Sequence, residues 1–172
     1  MTSTHYVSNE RLLKELKTYQ QALRKAKRHD TDPPAIPDYI GECFIKIAER
    51  LSRKKNFYSY TFREEMIGDA IENCIQYMNN FNPKKSTNPF AYFTQIIYYA
   101  FLRRILREKK HLYVKYKMAE YYTLQQSGLD AEDEDQLSPA KLYDNLQEYI
   151  REFETKHNIK PRIKGLEKFM TE

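Results

Sequence analysis

Two sets of side chains in this sequence have the types and spacing to do chemistry, and in both sets the chemistry is binding. Glu65, Asp69 and Glu72 recur every three to four residues, so on a helix they form one carboxylate ridge opposite the apolar residues Met66, Ile67, Ala70, Ile71, Cys74, Ile75 and Met78. Such a ridge suits a basic partner. Further along, Tyr92, Gln95, Ile96, Tyr99, Arg103 and Lys110 fall on one face of a second helix, with Tyr98, Arg104, Arg107 and Lys109 beside them. Flat rings stack on unpaired bases and cations hold phosphates, so this face suits a nucleic acid. A Tyr also fills a core well, and that alternative stands for part of the 15 Tyr in a chain without Trp.

No catalytic constellation accompanies them. His5, His29, His111 and His157 are scattered, the 4 Gly form no phosphate loop, and no pair of carboxylates stands with metal-ligand company. The expectation is a protein that is not an enzyme, with no cofactor and no metal. Cys43 and Cys74 lie on apolar helical stripes without metal-ligand spacing and read as buried thiols.

The elements that must position these groups are all helical. Met66 to Met78 forms the apolar side of the acidic helix, with Thr61 or a neighbour expected to cap it and Glu64 and Glu65 favouring its N-terminal dipole. The turn from Phe81 to Asn88 follows, broken by Pro83 and Pro89. Asn88 as N-cap and Pro89 at the first position then start the aromatic helix, whose expected core face is Phe90, Thr94, Ile97, Phe101 and Ile105. Its apolar pattern continues past Lys110, with a kink expected near His111, and stops at Gln126-Ser127-Gly128. Before the acidic helix come a helix from Asn9 to Lys27, with Ser8 as its cap, and another from Asp38 to Lys55. The cations from Arg24 to Arg28 either complement the first helix's C-terminal dipole or touch a partner; both readings stand. Ser138-Pro139 opens a last helix that runs to about Lys156.

The resulting division is a basic N-terminal helix (1–28), a Pro-rich linker (29–37), a helical domain (38–126), an acidic spacer (127–138), a C-terminal helix (139–157) and a tail (158–172). The spacer holds five acids in the six residues from Asp130 to Asp135 and reads as a disordered or extended segment. With 41% hydrophobic and 31% charged residues among 172, and a mean hydropathy of −0.83, the chain suits one modest core with extensions and much surface given to solvent or partners. The net charge of +5 is mild, so its local distribution matters more than its total. No apolar run approaches a membrane span and no signal-peptide segment opens the sequence, which points to a cytoplasmic protein.

The order of acidic amphipathic helix, NNF, turn, NPFAY, aromatic helix and Arg-Arg resembles the second conserved region of bacterial sigma factors, over residues 36–115. Within that group the chain is most similar to the late sigma factors of T-even-type bacteriophages. The resemblance implies an all-α bundle that binds the clamp coiled coil of the largest subunit of a bacterial host's core RNA polymerase through Glu65, Asp69, Glu72 and Gln76. It implies promoter DNA and its melted strand as partners of Tyr92, Gln95, Tyr98, Tyr99, Arg103, Arg104, Arg107, Lys109 and Lys110, at an element of the −10 type. Gly68 stands where the family has a polar residue, and Gln95 and Ile96 replace the tryptophan pair of primary sigma factors. After Gly128 there is no helix-turn-helix signature. The late phage sigma factors rely instead on a separate co-activator and the replication sliding clamp, and Leu166, Phe169 and Met170 resemble their clamp-binding tail. Two rival classes remain: a clamp-bound regulator that blocks sigma, needing only the ridge, and a single-strand-binding helical protein, needing only the aromatic face.

Overall fold

The computed structural model describes residues 6–126 and 139–159. The acidic spacer and the tail bearing Leu166, Phe169 and Met170 lie outside the described residues. The chain is all-α, with no strand among the described residues: α1 (Asn9–Arg28), α2 (Asp38–Ser52), α3 (Arg63–Tyr77), a 3₁₀ turn (Met78–Asn80), α4 (Pro89–Gln126) and α5 (Pro139–Lys156). No helix among them is long and apolar enough to cross a membrane. By contacts the chain divides into two units, Met1–Leu106 and Arg107–Glu172, and the division falls inside α4.

In the first unit each helix buries one stripe. Leu12, Leu16 and Tyr19 of α1 recur at helical spacing and enter the same core as Ile40, Phe44 and Ile47 of α2, Met66 and Ala70 of α3, and Phe93, Ile97 and Phe101 of α4. Helix α1 and Val7 before it therefore contribute to this core. Ser8 caps α1 by accepting a hydrogen bond at Oγ from the Arg11 N–H, 3.3 Å away. At the other end Asp30 takes a left-handed conformation with φ 51°, and the Thr31 N–H reaches back to the Ala26 carbonyl at 3.0 Å. That closure satisfies carbonyls the helix would otherwise leave open. Lys25, Lys27 and Arg28 occupy the last turn, where cations complement the dipole.

Polar anchors fix the helices to one another. The buried Gln20 of α1 donates from Nε2 to the Phe81 carbonyl at 2.8 Å, giving a partner to a carbonyl in the turn before α4. Asn9 accepts from the Phe90 N–H at 3.1 Å and donates to the Thr87 carbonyl at 3.2 Å, while Asn88 accepts from the Ala91 N–H at 3.0 Å. Two asparagines thus satisfy two amides that the start of α4 leaves without helical partners. The Arg11 guanidinium also lies 3.8 Å from the centre of the Tyr39 ring, linking α1 to α2.

Three local expectations change. Helix α2 ends at Ser52, not Lys55: the buried Ser52 hydroxyl donates to the Glu49 carbonyl at 2.8 Å and accepts from Arg63 Nε at 3.0 Å, tying the end of α2 to the start of α3. Phe62, the neighbour of Thr61, holds the N-cap position of α3, and the expected side-chain cap is not made. Ile75 is exposed instead of core, because α3 turns Met66, Ala70 and Cys74 inward and Ile75 falls outside that arc. Helix α4 itself runs without interruption from Pro89 to Gln126.

In the second unit α5 runs antiparallel to the last part of α4. Tyr113 stacks on Phe153 at 4.6 Å between centroids and Tyr116 meets Tyr149 edge-on at 5.2 Å. Lys117 lies 3.1 Å from both Glu120 and Glu154, and Gln147 donates to Glu120 at 2.6 Å.

Phe93 is fully buried and packs on Phe44 at 4.5 Å. Phe93→Ala should lower stability by about 3–5 kcal/mol in urea unfolding, a large share of the 5–15 kcal/mol typical of a domain; a loss under about 1 kcal/mol would mean the core does not rest on this contact. Cys43 and Cys74 are both free and buried, and burial pushes the Cys74 thiol up from 9.0 to about 12. A raised thiol pKa stabilises the fold fully below about pH 9, and that contribution is lost as pH rises towards 12. Both thiols should stay silent to Ellman's reagent at pH 8 in the folded chain and react on unfolding, whereas rapid reaction of folded Cys74 would contradict its burial.

Candidate functional site

The rotation of α4 decides which of its residues are available. Its buried stripe is Phe93, Ile97, Ala100, Phe101 and Ile105, with Phe90 and Thr94 only half-buried. The stripe is turned towards Phe93 and Ala100 relative to the expected face, and this draws Tyr92 inward. Tyr92 packs against Phe81 and Phe93 at 5.3 and 5.2 Å between centroids, and its hydroxyl donates to the Tyr77 carbonyl at 3.2 Å. Burial, with the nearby Cys74, raises its phenol pKa, so the hydroxyl stays a donor. Tyr92 therefore serves the packing of α4 on α3 and offers little free ring to a ligand.

What α4 presents outward in the first unit is Gln95, Tyr98, Tyr99, Arg103 and Leu106. Tyr98 and Tyr99 are 40% and 50% exposed, enough for a base to lie on either ring. They meet edge-on at 5.7 Å, and Tyr98 rests against Phe57 at the same distance, so the pair is held by packing from beneath. Leu106 is 52% exposed and Leu102 is half-buried on this side. Neither belongs to the expected core face or to the expected outward face, yet Tyr99, Leu102 and Leu106 recur at spacings of three and four and so share a face with Gln95.

On α3, Glu65, Glu72 and Gln76 are exposed on the face away from the core. Asp69 departs from this ridge. Its carboxylate is half-buried and faces α4, with Oδ2 3.3 Å from Arg104 Nη1. Beside it Asn73 accepts from Arg103 Nη2 at 2.8 Å and donates from its amide to the Asp69 carbonyl. The acids expected to act together are divided: Glu65 and Glu72 meet solvent, and Asp69 joins α3 to α4. The arginine pair is engaged as well, Arg104 with Asp69 and Arg103 with Asn73. Spacing alone puts Asp69 in line with Glu65 and Glu72, but the residue across from it, and hence which way its carboxylate turns, depends on how α3 and α4 pack.

Arg107, Lys109 and Lys110 belong to the second unit and are exposed there. The Lys109 carbonyl accepts a hydrogen bond from the Tyr149 hydroxyl at 3.2 Å. Leu166, Phe169 and Met170 lie outside the described residues. The chain matches no family model, and no curated protein matches it.

The Asp69–Arg104 pair is partly exposed, with side chains 26% and 17% accessible, so solvent screens much of its attraction. A double-mutant cycle of Asp69→Asn with Arg104→Gln should give a coupling energy of roughly 0.5–1 kcal/mol. A coupling indistinguishable from zero in urea unfolding would show that the contact does not hold α4 to α3.

Proposed function

We propose that the chain is a sigma factor of the late bacteriophage kind, acting in the cytoplasm of an infected bacterium. It binds the host's core RNA polymerase through α3 and opens an element of the −10 type with α4. The observation that carries this is the pairing, in one unit, of two exposed surfaces of different chemistry: the carboxylates Glu65 and Glu72 with Gln76 on α3, and the rings of Tyr98 and Tyr99 with Arg103 on α4. A regulator that only blocks the polymerase has no use for the second surface, and a plain single-strand binder has no use for the first.

Exposed carboxylates facing a basic coiled coil steer association and fix its register more than they add affinity. Opening a promoter takes bases out of their stack at a cost of a few kcal/mol, and an aromatic ring returns about 1–3 kcal/mol for each base it receives. Tyr98 and Tyr99 stand on a helix with their rings about half exposed, so a base can reach them without reordering of the protein. Coupling to the sliding clamp through Leu166, Phe169 and Met170, and recruitment of a co-activator, complete the proposal. A weak tether of this sort raises local concentration on DNA without new promoter contacts.

The combined Glu65→Lys and Glu72→Lys change should abolish co-migration with bacterial core polymerase on native gels while leaving the helical circular dichroism unchanged. Unaltered affinity in the folded variant would remove α3 from the mechanism. Tyr98→Ala with Tyr99→Ala should lose permanganate reactivity of thymines on linear promoter templates and keep transcription from pre-melted ones. Equal activity of variant and wild type on linear templates would refute a role in opening.

A further inference from the structure

The second unit carries a surface of which the implied promoter contacts use only Lys110. On the part of α4 from Arg107 to Tyr122, Val114, Met118, Tyr121 and Tyr122 are 45, 53, 48 and 56% exposed. They follow one another at spacings of four, three and one, so they share one helix face. Lys110, His111 and Lys115 are exposed along the same stretch. The face borders a shallow concavity of about 500 Å³ between Tyr113, Val114, Lys117, Met118, Tyr121 and Tyr122.

The sign of this surface follows from where its acids go. Residues 107–122 contain five Lys and Arg (107, 109, 110, 115 and 117) and two acids, Glu108 and Glu120. Glu120 faces the seam with α5, bonded to Lys117 at 3.1 Å and Gln147 at 2.6 Å, and Glu154 across the seam takes Lys117 at 3.1 Å and the Tyr113 hydroxyl at 2.8 Å. Glu108 stands 3.9 Å from His111. Glu120 and Glu154 are thus engaged at the seam by Lys117, Gln147 and Tyr113, and Lys110 and Lys115 outnumber Glu108 at the exposed face, which leaves it positive.

We propose that this face, centred on Tyr122 and Met118 with Lys110 and Lys115 beside them, is a second binding surface for single-stranded nucleic acid. The positive face calls for a polyanion, and an apolar protein partner would leave those ammonium groups without counter-charge. A duplex offers only base edges, whereas an unpaired strand offers base faces that half-bare Tyr rings and a polarisable Met can cover. The ligand class rests on the nucleic-acid reading proposed above; Lys110 is shared with the promoter contacts that the resemblance implies, but the rings are different ones, so Tyr122 and the Tyr98–Tyr99 pair can each fail alone.

The test uses the full chain and a fluorescein-labelled oligothymidylate of about 15 nucleotides, within the site sizes usual for such proteins. Tyr122→Ala should weaken binding about tenfold, as expected for one lost stacked base, and Tyr122→Phe should restore it. The same loss should appear in a chain already carrying Tyr98→Ala and Tyr99→Ala. Lys110→Gln with Lys115→Gln should flatten the dependence of log affinity on log salt by about 1.4, two phosphate contacts on a single strand. Ultraviolet crosslinking of a 5-iodouracil oligonucleotide should mark the peptide holding Tyr121 and Tyr122. The proposal is overturned if Tyr122→Ala binds as tightly as the parent, if it loses duplex affinity equally, if the loss vanishes once Tyr98 and Tyr99 are replaced, or if crosslinks form only elsewhere. An unchanged oligonucleotide affinity is also the result that a protein-docking face would give.

Discussion

Phe93 packs on Phe44 with 4.5 Å between ring centroids, and this contact sets the rotation of α4 about its axis. A helix is stiff and its side chains leave it about 100° apart, so burying one of them decides the direction of all the others. With Phe93, Ile97, Ala100 and Phe101 inward, Gln95, Tyr99 and Leu106 must face out and Tyr92 is left at the margin. The surface proposed to meet DNA is therefore a consequence of which aromatic side chain won the core.

That rotation is held by polar groups at the start of the helix. An N-terminus presents amides that have no partner within the helix, and here Asn9 and Asn88 supply acceptors to Phe90 and Ala91. Asn9 is remote in sequence, so α1 becomes part of what seats α4. Gln20 does the same for the preceding turn through the Phe81 carbonyl. The basic N-terminal helix is thus a structural member of the first unit, and the cations in its last turn have a dipole to complement whether or not they touch a partner.

Electrostatics divides the two faces of the first unit less cleanly than spacing implies. Asp69 turns from the acidic ridge to Arg104, and Asn73 holds Arg103, so α3 and α4 share their charges across the seam between them. In solvent-screened positions such contacts add little stability, but they restrict where two long arginine side chains point. Glu65 and Glu72 remain to define α3's outer surface. In the second unit the same logic operates through Lys117, which lies between Glu120 and Glu154 and leaves the outer face of α4 without opposing carboxylates of that pair.

The linear sequence by itself determined the helical class, the apolar stripes of α1 and α2, the burial of both thiols and the start of α4 at Asn88-Pro89. Each of these rests on local rules: a 3.6-residue period, a capping side chain, a proline where no amide is needed. The exposure of Glu65, Glu72 and Tyr99 was legible for the same reason. Only the tertiary structure decided that Asp69 meets Arg104, that Tyr92 packs on Phe81, that Ile75 is left outside the core and that Asn9 completes the start of α4. Phe90, Phe93 and Tyr92 all lie close together on α4 and any of them can fill a core, so periodicity alone cannot choose among rotations a fraction of a turn apart. The choice falls to Phe44, from the distant α2, and to Phe81, in the turn before α4, whose positions are set only once α2, α3 and α4 have packed together.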